Sequence, residues 1–173
     1  MRGFSGRLKN RLIARVLTRF PWLLERVTNK TIWRGEAGVP WTPFTKGLSS
    51  SKVAIVTTAG VHLKNQKPFD MLDKMGDPTY RELPASARRE EYTITHDYYD
   101  HADADRDLNI VFPIDRLREM AEAGEIGGLS ETNYGFMGHI DGPYIDTLIR
   151  KTAPEVARKL KKDGVDVALL TPG

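Results

Sequence analysis

The rhythm of apolar and polar positions predicts a helix at the front of the chain and α/β alternation behind it. Ile13, Val16, Leu17, Phe20 and Leu24 recur at helical spacing, and Arg7, Arg11, Arg15 and Arg19 fall every four residues on the opposing side. That is an amphipathic helix with a basic face, and Pro21 breaks or kinks it near Phe20. Val53–Thr57 is a β-branched apolar run suited to a buried parallel strand, and Thr58-Ala59-Gly60 turns directly after it. Tyr92–His96 and Leu108–Phe112 read as further strands. Asp115–Ala123 reads as a helix closed by Gly124, and Tyr144–Asp163 as a longer one, kinked or restarted at Pro154 and ended by Gly164. Val165–Leu170 is the last strand. Helix, glycine and apolar strand in succession form an αβ unit of the doubly wound kind.

The expected fold class is therefore α/β, a partly parallel open sheet with flanking helices, preceded by a basic amphipathic N-terminal helix. The expected organisation is a helical arm over 1–30, an irregular linker over 31–52 and an α/β domain over 53–173. In the linker, Trp33, Trp41 and Phe44 lie among glycines, prolines and serines and tack it to the core. Residues 61–91, rich in Pro, Gly, Asp and Lys, read mostly as loop.

Charge sharpens the division. The net charge is +3, but residues 1–30 carry eight Lys/Arg and one acid, a balance of +7, and the remainder carries −4. Two readings of the arm stay open: a helix that packs on its own domain and solvates its arginines, or a surface for anionic lipid, nucleic acid or an acidic partner through residues 7–19. No apolar run approaches the roughly 18 residues of a membrane span, and no secretory signal is visible. The chain has no cysteine, which excludes disulfides and thiolate chemistry within these residues and points to the cytoplasm.

The densest polar segment is His96-Asp97-Tyr98-Tyr99-Asp100-His101-Ala102-Asp103-Ala104-Asp105-Arg106-Asp107. Were it helical, His96 would face Asp100 and Asp97 would face His101. It reads as a solvated acidic loop with caps, as a polar site for a small substrate, or as a metal site, although it matches no tight metal motif. His62 follows the first strand's turn, a place suited to acid–base work. His139 sits among glycines in Tyr134–His139, which reads as a turn with packed aromatics. There is no glycine-rich phosphate loop and no GxSxG elbow.

In order along the chain, Val53–His62, Gly76-Asp77-Pro-Thr-Tyr-Arg81, the His96–His101 segment, Asp107-Leu-Asn109-Ile-Val-Phe-Pro113-Ile-Asp115-Arg116-Leu117, Gly124-Glu-Ile-Gly127 and Gly164–Gly173 resemble the glycine/betaine/sarcosine/D-proline reductase selenoprotein B family. The resemblance runs from about residue 50 to the end. It implies an oxidoreductase subunit that cleaves a C–N bond of a small amine or amino acid reductively, with partner reductase subunits and electrons from a thioredoxin-like dithiol donor. It implies His62, His96 and His101 as residues lining the site, to protonate the leaving amine or bind a carboxylate. Thr57, Thr58 and Gly60, with Pro172 and Gly173, are the implied substrate-binding positions. Asn109, Asp115 and Arg116 read as structural: a strand end, a helix N-terminal carboxylate and a surface pair. The alternative is a non-enzymatic α/β module that docks a membrane or acidic partner through its arginine face.

In the family, selenocysteine or cysteine follows the strand equivalent to 165–170, with a further cysteine beyond. No cofactor is expected within these residues, and selenocysteine is expected in the full-length protein. At the end of a strand and the start of a helix, such an anion meets the helix N-terminus, which stabilises it. The expectation is that the sequence stops at a recoded codon, and reading the gene tests it. A TGA triplet after Gly173, followed by an open frame that encodes cysteine, is the expected result; a different stop codon contradicts it.

Overall fold

Strand β1, Lys52–Thr57, organises the domain because its neighbours pair with it on both edges. The computed structural model describes residues 2–20, 22 and 42–173. Strand β7, Val167–Thr171, runs parallel to β1 from Val53↔Val167 to Thr57↔Thr171. Two-residue β5, Gly128–Leu129, pairs with the start of β1, and β6, Thr132–Phe136, with its end, both in parallel. Strand β3, Tyr80–Pro84, closes the far side antiparallel to β6. The sheet is mixed and partly parallel. A separate antiparallel pair joins β2, Val61–Leu63, to β4, Tyr92–Ile94.

Alternation along β1 splits the core. Val53 and Ile55 face a cluster with Leu83, Leu108, Phe112, Ile114 and Leu117. Ala54 faces the other way, with Tyr134, Phe136, Val156 and Leu160. Between β5 and β6 the chain leaves β1, and the Ile55 N–H loses its ladder partner. The buried Asn133 side chain replaces it, accepting that N–H at 2.8 Å. A buried N–H left unpaired there would cost free energy comparable to a lost hydrogen bond.

Helix α1, Arg2–Arg19, ends where Pro21 was expected to stop it; Pro21, Leu24, Trp33 and Trp41 lie outside the described residues. Phe44 is 49% exposed and tacks nothing down. The orientation of α1 is the reverse of an ordinary amphipathic helix. Arg7 and Arg11 turn inward, onto Asp97, while Leu8, Leu12, Ile13, Val16 and Phe20 are exposed; among the helix residues whose burial is described, Ala14 alone is buried. The reason is electrostatic: a carboxylate with no exposed surface needs cationic partners more than the helix needs to bury leucines.

Leu108–Phe112 is not a strand. Leu108–Ile110 forms a 3-10 turn, because the Asp107 carboxylate accepts the Asn109 N–H at 3.0 Å and Asn109 in turn bridges to Asp115. These local hydrogen bonds offer the backbone an alternative to a ladder, and Leu108, Val111 and Phe112 enter the core from the turn. Asn109 is therefore not at a strand end. Asp115 does sit in the first turn of a helix, and Arg116 pairs with Glu119 on the surface.

The helices fall close to expectation. Short α2 spans Ala102–Arg106, α3 Ile114–Glu122 and α4 Pro143–Thr147; α5 spans Ala153–Lys162. The long helix expected over 144–163 is α4 and α5 joined through a π-helical turn, Leu148–Thr152, with Pro154 in the first turn of α5. Gly124 and Gly164 end α3 and α5 with positive φ. Strands β3 and β6 arise where loop or turn was expected. In β6, Gly135 interrupts the strand pattern because a Cβ there would lie 2.3 Å from the Val61 carbonyl. Among the described residues no helix is long and apolar enough to cross a membrane.

Candidate functional site

The carboxyl ends of β1 and β7 lie side by side, the position where open α/β sheets build sites. The hydroxyls of Thr57 and Thr171 both donate to the Val111 carbonyl, at 2.9 and 2.6 Å. The Thr58 N–H donates to the Thr171 carbonyl at 2.9 Å. Beyond Thr57 the chain turns through Gly60, whose φ of 74° and whose contact with Thr95 exclude a side chain: a Cβ would sit 2.4 Å from the Thr95 carbonyl oxygen. Gly173 packs on Ala59, where a Cβ would come within 2.5 Å of Cα. Thr58, Pro172 and Gly173 are exposed and form a shelf.

His96 flanks the same turn from the other side. Its Nδ1 accepts the Tyr98 N–H at 3.1 Å, so the neutral ring carries its proton on Nε2. Nε2 points toward Gly138, 3.5 Å from where that residue's Cβ would be; the same point is 3.0 Å from the Thr58 carbonyl oxygen. Gly138 and Thr58 are exposed although His96 itself is 4% exposed. Burial, reinforced by the charges of His101 and His139, pushes the His96 pKa down to about 4. At neutral pH His96 is thus an uncharged hydrogen-bond donor. It suits a carboxylate or a developing negative charge better than it suits proton delivery from an imidazolium.

The other candidates divide. Thr57, Thr58, Gly60, His96, Pro172 and Gly173 are brought together at this one end of the sheet. His62 is one strand away and has both ring nitrogens engaged, Nδ1 donating to the Leu63 carbonyl at 2.7 Å and Nε2 bonded to the Thr95 hydroxyl at 2.8 Å. Burial lowers its pKa. It braces the β2–β4 pair. His101 is separated from His96 by the Tyr99 ring, with centroids 4.7 and 5.6 Å from the two imidazoles. The segment is not helical before Ala102, so the expected facing of Asp97 and His101 does not form; His101 pairs instead with Asp105 at 2.8 Å. Among the described residues no group of three or more acids and histidines is arranged to hold a metal.

Some contributors were not foreseen. Tyr99 donates its hydroxyl to the Ala59 carbonyl at 3.1 Å and fixes the turn; burial raises its pKa far above the usual phenol range. Gly138 leaves the space into which His96 points. Asp97, next to His96, is clamped by Arg7 at 2.5 Å and Arg11 at 2.9 Å. Burial pushes the Asp97 carboxyl up, but the hydrogen bonds and charges of the two arginines outweigh it and hold the pKa below the ordinary value. The four-residue arginine spacing and the dense polar segment were both visible; their pairing across some 90 residues was not.

A family model described as glycine/sarcosine/betaine reductase selenoprotein B matches residues 27–173. The chain is 43% identical over 133 residues to the D-proline reductase subunit gamma of Acetoanaerobium sticklandii, covering 77% of this chain and 53% of that protein. It is 30% identical over 146 residues to the glycine reductase complex component B subunit gamma of Carboxydothermus hydrogenoformans, with 77% and 30% covered. It is 30% identical over 133 residues to the betaine reductase complex component B subunit beta of Peptoclostridium acidaminophilum, with 73% and 29% covered. The chain therefore spans about half the length of the first relative and under a third of the other two. No solved structure matches it at a significant level.

The shifted histidine has a consequence for stability. Below pH 6.5 the unfolded chain takes up a proton at His96 that the folded ring refuses until about pH 4. Stability should fall as pH drops through that window, by about 3 kcal/mol from this residue, and the loss should stop below it. Denaturant titrations at successive pH values check this. His96→Gln should flatten the slope between pH 6.5 and 4, and equal slopes in both proteins would contradict it.

Proposed function

The chain belongs to the glycine/sarcosine/betaine reductase selenoprotein B family, and from that premise we propose that it forms part of a subunit of an amino-acid or amine reductase complex. Its homologues are subunits of glycine, betaine, sarcosine and D-proline reductases. The proposed reaction replaces a C–N bond by C–H and N–H. It consumes two electrons and two protons, supplied as a dithiol becomes a disulfide. A selenolate or thiolate attacks the carbon and the nitrogen departs. These 173 residues contain no cysteine, so that nucleophile is contributed from outside them. Partner subunits and a thioredoxin-like dithiol donor complete the assembly.

The observation that carries this reading is the His96 edge beside the β1 and β7 ends. A neutral imidazole held by Tyr98 N–H presents one N–H donor toward Gly138 and the Thr58 carbonyl, two exposed residues beside the turn after β1. In the proposed reaction it binds the substrate carboxylate or the charge that develops as the C–N bond breaks. Because the donor is preorganised, it loses little in reorganisation. Two cations of the arm, Arg7 and Arg11, are spent on Asp97, which weakens the alternative of an arginine-faced docking module.

The test uses the complex isolated through a tag on this chain, supplied with a dithiol. D-proline is the first substrate to try, followed by glycine, sarcosine and betaine. Dithiol should be oxidised in proportion to the substrate cleaved. His96→Ala should lower kcat/KM by about 100-fold, the size of one lost preorganised donor, and His96→Gln, which keeps an N–H, should retain part of it. Failure of all four compounds to be consumed would contradict the reading.

A further inference from the structure

A cavity of about 480 Å³ lies between α1 and the far side of the histidine segment, and the reaction proposed above does not use it. Arg7 and Asn10 come from α1, Met71 and Lys74 from the loop after β2, and Tyr98 and His139 from the two segments that also frame His96. Its charge is one-sided: two cations, an amide and an imidazole line it, and among the described residues no carboxylate does. Two acids act on the Tyr98 wall from outside this lining. Asp97 is neutralised by Arg7 and Arg11. Asp73 accepts the Tyr144 hydroxyl at 2.8 Å and the Met75 N–H at 2.9 Å, in the neighbouring cavity.

The donors left over are specific. Lys74 makes no ion pair among the described residues. Arg7 uses Nε and Nη2 on Asp97, which leaves Nη1. His139 is fixed by its Nε2 donating to the Lys74 carbonyl at 2.9 Å. It stacks on Tyr98 at 3.9 Å between centroids. Two cationic side chains lining the same cavity as a stacked aromatic pair and a methionine match an anion that carries an organic body. A bare inorganic anion would leave the aromatic wall without a contact.

We propose that this cavity binds a small organic carboxylate, its charge between Lys74 and Arg7 and its carbon body against the Tyr98–His139 wall. The site is incomplete without α1, which contributes Arg7 and Asn10. The buried Asp97 clamp thus acts as the device that assembles it. The inference stands on this geometry and does not require the reductase reading.

The experiment is an amide-resolved NMR titration of the full chain at fixed ionic strength, with propionate as probe, propionamide as its uncharged counterpart and inorganic phosphate as the simple anion. Propionate should shift the Lys74, Tyr98 and His139 amides saturably, and propionamide should not. Phosphate should bind at least about tenfold more weakly for want of apolar contact. Lys74→Met should weaken propionate by about tenfold, the size of one charge-assisted hydrogen bond, and the distant Lys159→Met should leave it unchanged. Absence of saturable shifts, equal binding of propionamide or phosphate, or full binding by Lys74→Met would overturn the proposal. If Lys74→Met loses its folded spectrum, Asn10→Asp, which places a negative charge in the cavity, must abolish propionate binding. Turnover in the reductase assay with no propionate binding here would defeat this site alone, and binding without turnover would defeat the reductase reading alone.

Discussion

The side chain of Asp97 has no exposed surface, and a carboxylate so placed is tolerable only with cations against it. Arg7 and Arg11 supply them from a helix 90 residues earlier in the chain. The pair of contacts fixes more than a charge. It sets which face of α1 points inward, at the expense of leaving Leu8, Leu12, Val16 and Phe20 exposed. It holds the backbone of residues 96–98 in the bend that lets Tyr98 N–H reach His96 Nδ1. It also closes one wall of the cavity lined by Lys74, Tyr98 and His139. Arg7 and Arg11 are themselves partly exposed, so solvent screens their side of the contact, but the Asp97 side is dry.

The consequence for chemistry is a histidine whose role follows from its surroundings rather than from its residue type. Desolvation keeps His96 uncharged at neutral pH, and the Tyr98 amide occupies one nitrogen. What remains is a single N–H aimed past Gly138 at the β1 turn. His62, equally buried, has neither nitrogen free and contributes rigidity. Of three histidines chosen from one sequence, burial and hydrogen bonding leave one at the sheet end with an available donor.

Much of the fold was legible because its signals are local. The β-branched run of β1, the capping glycines 124 and 164, and the terminal apolar strand each depend on a few neighbouring residues. Strands β3 and β6 were not legible. Gly135 breaks the β6 pattern to admit the Val61 carbonyl, and Tyr80–Pro84 ends on a proline in an edge strand. The Leu108–Phe112 run misled for a different reason: Asp107, Asn109 and Asp115 tie it into a turn through side chains that periodicity does not register. At the site, the clustering of Thr58, Gly60 and Gly173 followed from the parallel strands, and the polar segment was conspicuous. The inward turn of the arginines was hidden, because it depends on the burial of one distant aspartate.

Hydrogen exchange on Asp97→Asn, which removes the charge and keeps the shape, tests the central role of this clamp most directly. Amides of residues 7–19 and 97–101 should exchange together at least about tenfold faster, while those of β1 and β7 keep their protection. An α1 that remains as protected as in the unaltered chain would show that the helix is held by something other than Asp97 and would contradict the account.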